Sequence, residues 1–332
     1  MFEVDVIIPF HRGLDEYLLK AIESAENSEG VKVRLLLVND RKRDVEATSY
    51  LRSMGYLVLD SNELGYSECL NLAVSSSNSK YVAQLNSDDL HHPRRLQRQI
   101  ELMRRLETPI SLCRLQKFEG NRTNFELSGK QPREIYSKAL LLLGAYGANA
   151  SVIFQREFLS GKVWKPVSMC DWYFAFEYYP ESIAFLDEKL YFYRMHFDQL
   201  SRKPTKSPAW MTSFWESQYL LNCEIRNPIP NAVIDSISFP ASLRKLNHDH
   251  YKIMQDIFAN LLIQVEHYPE KFRHDFINLL ARRYLISALS TRQLINLKDF
   301  SKLLGSLNLS SEFIKMSYEY TLNMGSVRRQ IT

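Results

Sequence analysis

The strongest constraint on the fold is an alternation: short apolar runs take turns with helical patterns through the first 107 residues. Residues 4–8 read as an apolar, β-branched run stopped by Pro9, with Gly13 close behind. Residues 14–26 then place Leu18, Leu19, Ile22 and Ala25 at helical spacing. Residues 31–38 (VKVRLLLV) are nearly continuous in apolar character, as a strand covered on both faces would be. Residues 57–59 make a third short strand, 67–75 a helix and 81–85 a fourth strand. Pro93 opens a helix that runs to about Leu106, as a first-turn proline does. Strands and helices alternating at this spacing predict βαβ units and a mainly parallel sheet, the α/β class.

Beyond Pro109 the rhythm loosens. Strands are expected at 110–115, 151–154 and 183–193, with a loop at 121–130. Pro204 and Pro208 mark a boundary. Past it come amphipathic helical stretches at 209–223, 242–266, 270–288 and, in pieces, 291–324. The expected organisation is an α/β domain over 1–204, itself in halves 1–107 and 108–204, followed by a helical domain over 205–332.

Composition matters here mainly for what it excludes. No apolar run is long enough to span a bilayer, and the N-terminus enters a strand too soon for a signal peptide. Cys69, Cys113, Cys170 and Cys223 are too far apart for a metal knuckle or a redox pair. Reduced thiols and a cytoplasmic location are the expectation. The net charge is +4, with 42 Lys+Arg against 38 Asp+Glu. All of the excess falls in 205–332, because the first 204 residues balance. A charge this small excludes a nucleic-acid partner. It leaves room for peripheral contact with the inner face of a membrane, or for oligomerisation, through the C-terminal helices.

In an open parallel sheet, ligands gather at the carboxyl ends of the strands. Those ends carry Pro9-Phe10-His11-Arg12, then Asn39-Asp40-Arg41-Lys42-Arg43-Asp44. The third and fourth carry Asn62-Glu63-Leu64-Gly65-Tyr66 and Asn86-Ser87-Asp88-Asp89. Paired carboxylates suit Mg²⁺ or Mn²⁺ sharing its coordination with substrate phosphates. Equally, Asp88 and Asp89 suit the start of the helix at Pro93. Neither GxGxxG nor GxxxxGK[ST] occurs, which argues against a dinucleotide-binding dehydrogenase and a P-loop NTPase.

Seven segments occur in a telling order. Val4-Asp5-Val6-Ile7-Ile8-Pro9 comes with Arg12, and Leu35-Leu36-Leu37-Val38-Asn39-Asp40 with Asp44. Asn62, Gly65, Ser67 and Asn71 follow. Tyr81-Val82-Ala83-Gln84-Leu85-Asn86-Ser87-Asp88-Asp89 precedes Pro93. GANASVIFQRE occupies 147–157, with Cys170-Asp171-Trp172 and LYFYRMHFDQLS (190–201) downstream. Over about residues 3–202 this set resembles the family 2 glycosyltransferases.

The resemblance implies a GT-A fold and inverting transfer from a nucleotide-sugar, with UDP as the nucleotide. The acceptor hydroxyl would belong to a saccharide, glycolipid or glycoprotein. It also implies a division of labour. Asp40 would bind the base or ribose and His11 would face the base. Pro9, Arg12, Asn62, Gly65, Asn71 and Asp88 would complete the donor site. Asp88, Asp89 and His196 would hold Mn²⁺ or Mg²⁺, with Asp89 in direct contact. Asp171, in an aromatic setting that would raise its pKa, would be the general base. Trp172 and Arg194 would meet the acceptor, and 194–207 would close as a lid.

Three departures stand out: Asn39 and Asn86 where Asp is usual, and Arg41-Lys42-Arg43 where a small turn is usual. They support an alternative, a non-catalytic member that binds a glycan or scaffolds a complex. The arginines at 94, 95, 98, 104 and 105 are expected to form the solvated face of their helix. His248 and His250, two apart, would point to different faces of a helix and so exclude a zinc pair.

Overall fold

β1 (Phe2–Phe10) forms over a run of β-branched residues, and Val4, Val6, Ile7 and Ile8 are wholly buried. Burying each such side chain contributes about 1.5–3 kcal/mol. The computed structural model describes residues 1–41, 45–120, 133–136, 149–180, 182–196, 249, 250 and 253. The chain divides into two units, Met1–Leu141 with Tyr146–Arg202 and Leu142–Ala145 with Lys203–Thr332. The first is the subject below. Nearly all of the expected C-terminal helical stretches lie outside the described residues, as do the 121–130 loop, Lys42, Arg43, Asp44 and 197–207.

Asp15 starts α1 (Glu16–Glu26): its backbone is extended and its carboxylate accepts from the Leu18 N–H at 2.8 Å. Leu18, Ala21, Ile22 and Ala25 form the buried stripe of that helix against β1. β2 (Val31–Asn39), α2 (Val45–Ser53), β3 (Leu57–Asp60), α3 (Tyr66–Ser76) and β4 (Tyr81–Gln84) complete the first half. β1 pairs in parallel with β2 and β4, and β2 with β3, so the carboxyl ends of all four lie along one edge.

The second half is mixed. It comprises β5 (Leu90–His91), α4 (Arg95–Arg105), β6 (Ile110–Phe118), β7 (Arg133–Tyr136), β8 (Ile153–Gln155), α5 (Cys170–Tyr178) and β9 (Ser182–Arg194). The sheet runs β3-β2-β1-β4-β8-β6-β9-β5, with β7 on β9. β8 enters antiparallel to β4 and β6, whereas β6 and β9 are parallel. The mainly parallel expectation therefore holds for the first half and gives way in the second.

Within β1, Asp5 interrupts the apolar run and is 0% exposed. Arg34, its partner in the β1–β2 register, closes a two-pronged fork on it at 2.7 Å for each bond. The hydroxyls of Ser77 (2.6 Å) and Ser79 (2.7 Å) and the amides of Asn78 and Ser79 (3.1 Å each) complete the shell. Burial pushes the carboxyl up, but the fork and the hydroxyls outweigh it and hold the group down at about 2.

α4 corrects one expectation. Arg94, Arg104 and Arg105 are exposed, and Arg98 pairs with Glu188 at 2.6 Å, but Arg95 is completely buried. Cys69, Cys113 and Cys170 are free and buried. Burial, its largest influence in each case, pushes the first and third up to about 12 and Cys113 to about 11, so all remain thiols. Among the described residues no helix is long and apolar enough to cross a membrane.

Candidate active site

Three of the four parallel strand ends are tied to one another before any side chain takes part. The Asp40 N–H donates to the Phe10 carbonyl (2.8 Å) and the Ser61 N–H to the Asn39 carbonyl (2.9 Å). Asn39 is buried. Its amide donates to the Arg41 carbonyl (3.1 Å), Thr48 Oγ1 (3.2 Å) and Asp60 Oδ1 (3.1 Å), and it accepts from the Arg41 N–H (3.0 Å). A carboxylate there would lose these donors and face Asp60 as a like charge. This departure from the family pattern is thus a packing solution within the turn.

Asp40 projects beyond that turn. Its Oδ1 accepts from the Ser61 hydroxyl and from the Gly65 N–H at 3.0 Å. Gly65 sits at φ +93, a conformation that disfavours any side chain, and it caps α3. Asn62 and Glu63, both in the left-handed region at φ 57 and 64, turn the chain towards it. Asn62 is exposed, as is His11; Pro9 and Arg12 are half-buried at the end of β1.

Asn71, expected in the donor site, bonds to another segment. Its side chain binds the Trp164 backbone in both directions, Nδ2 to the carbonyl at 2.9 Å and Oδ1 from the N–H at 2.8 Å. It is a staple between α3 and the segment before α5. Trp164 in turn stacks on Phe174 of α5 at 3.9 Å between centroids.

The loop after β4 separates its two carboxylates. Asp89 is 0% exposed. Its Oδ2 accepts from Tyr191 Oη (2.7 Å) and Asn86 Nδ2 (3.0 Å), and its Oδ1 from the Arg194 N–H (2.8 Å). Burial, and then the like charge of Asp88, push it up to about 7. Asp88 faces the other way, and its Oδ2 lies 2.9 Å from His196 Nε2. Both oxygens of Asp89, the residue expected in direct contact with the metal, thus accept hydrogen bonds from protein groups. Asp88 and His196 are the partly open pair, 26% and 11% exposed.

Arg194, expected at the acceptor, is turned into the protein. It is 1% exposed, donates from Nε to the Asp88 carbonyl (2.8 Å) and from a terminal nitrogen to the Gly120 carbonyl. Its guanidinium lies over the rings of Tyr17 (4.5 Å) and Phe118 (4.6 Å). Tyr17 also packs against the His196 ring at 5.6 Å.

Asp171 stands in the first turn of α5 and takes its own following amide, the Trp172 N–H, at 2.9 Å. Trp172 is half-buried and packs near Phe176. Tyr66, the first residue of α3, is 38% exposed, with its hydroxyl 3.5 Å from Asn86 Oδ1. The surrounding protein, and then the charge of Asp171, raise that phenol. Sequence reasoning missed Tyr17, Tyr66 and Tyr191. Tyr66 was legible as the residue after the turn glycine, but Tyr17 and Tyr191 reach the site only through packing across distant segments.

Among the described residues no cluster of three or more His, Cys, Asp or Glu side chains is arranged to hold a metal ion. One carboxylate and one imidazole still fit an ion that takes its remaining ligands from phosphate and water, as Mg²⁺ and Mn²⁺ commonly do.

Comparison with known proteins points the same way as the sequence motifs. The model for glycosyl transferase family 2 matches residues 5–160. The matched stretch is a little under half of the chain, and over it the sequence is similar to the family 2 glycosyltransferases. An uncharacterized glycosyltransferase of Rickettsia prowazekii is 26% identical over 155 residues, 45% of this chain and 47% of that protein. An uncharacterized glycosyltransferase of Methanocaldococcus jannaschii is 28% identical over 106 residues, 30% of this chain and 37% of that protein. The chain thus spans about half the length, or less, of these curated relatives. The GT-A fold is shared with S. aureus TarS 1–349 in complex with UDP-GlcNAc. That match has a TM-score of 0.51 and 15% identity, and covers 91% of this chain and 92% of that one. The same fragment in complex with UDP gives 0.51 and 15%, with 89% and 93% covered. Asp40, Asp88 and His196 thus stand on a fold that in TarS has been solved with UDP-GlcNAc and with UDP.

Proposed function

We propose that the chain is an inverting glycosyltransferase that moves a sugar from a UDP-sugar to a hydroxyl of a saccharide, glycolipid or glycoprotein. The observation that carries this reading is the single sheet edge holding Asp40 at one strand end and the Asp88–His196 pair at another. The nucleotide-bound relatives of the same fold support it. Asp40, with Gly65, Asn62, Pro9, His11 and Arg12 around it, receives the nucleoside. Asp88 and His196 would hold Mn²⁺ or Mg²⁺, an ion that neutralises charge on the leaving diphosphate. Asp89 and Arg194 hold the loop in place, and Asn71 holds α3.

Asp171 acts as the general base. As the acceptor oxygen bonds to the anomeric carbon, its proton passes to the Asp171 carboxylate. The bond from that carbon to the diphosphate breaks on the opposite face, and its electron pair leaves with UDP. Position in the first turn of α5 favours the ionised carboxylate this step needs. Trp172 borders the acceptor. The division into 1–204 and 205–332 is retained, with the +4 of the second part set against an acidic acceptor, an anionic membrane surface or another subunit. Asn39 and Asn86 no longer argue for a non-catalytic member, because both amides have internal partners that a carboxylate would repel.

Release of UDP from a panel of UDP-sugars with Mn²⁺ tests the reading. Asp171→Asn is expected to lower turnover about 10²–10⁴-fold with UDP affinity unchanged. Failure of the wild-type chain to bind any nucleotide by calorimetry would overturn it.

A further inference from the structure

Behind the carboxylate loop lies a polar cluster to which the proposed reaction assigns no part. Arg95, at the start of α4, is 0% exposed. Its guanidinium donates to Gln99 Oε1 (2.9 Å) and, from both terminal nitrogens, to the Gln84 carbonyl (3.1 Å each). It also reaches the Ala150 and Val152 carbonyls at 3.5 Å and lies 3.2 Å from His91 Nδ1. Burial, and then Arg95 itself, push His91 well down, so that imidazole is neutral. A wholly buried cation surrounded by neutral acceptors is costly unless a counter-charge lies nearby.

The counter-charge is one ring away. The guanidinium carbon of Arg95 lies 5.1 Å from the centroid of Tyr191, and the Tyr191 hydroxyl donates to Asp89 Oδ2 at 2.7 Å. That hydroxyl also accepts from the Asn86 N–H at 3.3 Å. A cation on the face of a phenol ring draws electron density from it and strengthens the hydroxyl as a donor. The chain of contacts runs from α4, through β9, into the loop that presents Asp88.

We propose that Arg95 and Tyr191 are positioning residues of the donor site: the buried cation and the phenol together fix the Asn86–Asp89 loop, and thereby aim Asp88. The structural half of this proposal stands on the contacts alone; its functional half rests on the donor reading of the same edge.

Tyr191→Phe tests it in the full chain, because the ring under Arg95 stays and only the hydroxyl goes. Amide exchange across residues 86–90 is expected to accelerate roughly tenfold, the scale of one lost hydrogen bond to a charged group, while exchange around Asp5 stays unchanged. UDP binding with Mn²⁺ should weaken by a similar factor, about tenfold, with the donor KM rising and the acceptor KM holding. Arg95→Lys, which keeps the charge but not the fork, should fall between wild type and Tyr191→Phe. Unchanged exchange at 86–90 in Tyr191→Phe would overturn the proposal, as would faster exchange with undiminished UDP affinity. If the wild-type chain binds no nucleotide, the donor reading is what has failed. The exchange rates then decide alone whether Tyr191 holds the loop.

Discussion

Two carboxylates lie wholly buried at opposite ends of the parallel half of the sheet, and their surroundings treat them oppositely. Asp5, near the start of β1, meets a guanidinium fork, two hydroxyls and two amides, and is held at about 2. Asp89, past the end of β4, meets a phenol, an amide side chain and one backbone N–H. It is pushed up to about 7, by burial first and then by Asp88. The ionised Asp5 stabilises the fold; the ionised Asp89 is carried at a cost. The amino ends of the strands are where this sheet is made stable. The carboxyl ends give up some of that stability to hold a loop of like charges beside the candidate active site.

The comparison breaks most visibly at Asp5. Asp5→Ala removes the acceptor shared by the part-exposed Arg34 guanidinium, two hydroxyls and two amides and should cost about 3 kcal/mol in urea denaturation, while UDP affinity of the folded protein stays unchanged. A loss confined to nucleotide binding would reverse the roles assigned to the two ends. Acid sharpens the same contrast. The folded value of Asp5 lies below the ordinary 3.8, so its contribution is fully present above that pH and is lost as pH falls through about 2. That contribution is about 2 kcal/mol, and Asp5→Asn should flatten this part of the stability curve. The smallest effect belongs to Lys32–Glu3, an exposed pair in the same β1–β2 register, 3.1 Å apart with side chains 72% and 61% exposed. Lys32→Ala should change stability by less than about 0.5 kcal/mol, since solvent screens such a pair.

Much of this was legible in the sequence, for reasons that also mark the limits. The strands expected at 4–8, 31–38, 57–59 and 81–85 became Phe2–Phe10, Val31–Asn39, Leu57–Asp60 and Tyr81–Gln84; all but the largely exposed third are buried parallel strands, which have few ways to be written. α2 went unread: its sequence, VEATSYLRS, mixes β-branched and polar residues, and its buried side is only Ala47, Thr48 and Leu51. β5, two residues long, has no periodicity to detect. At the candidate site, the rule of strand ends found the right loops but could not orient adjacent side chains. Asp88 and Asp89 are neighbours in sequence, yet one faces His196 and the other Tyr191, which only the packing of β9 decides. Arg95 looked like its neighbours on α4 because charge patterning cannot register a carbonyl-lined cavity.

The Asn71 staple has a further consequence. Asp40 holds the amide of Gly65 at the head of α3, Asn71 further along that helix grips Trp164, and Trp164 lies flat on Phe174, three residues beyond Asp171. The two ends of the proposed reaction thus share a single lever. On that reading, a change that resizes the acceptor side through Trp164 would be felt on the nucleotide side as well. In a lineage built on this arrangement, new acceptor preferences are most cheaply acquired in segments that hang off the lever, and the lever itself resists piecemeal change.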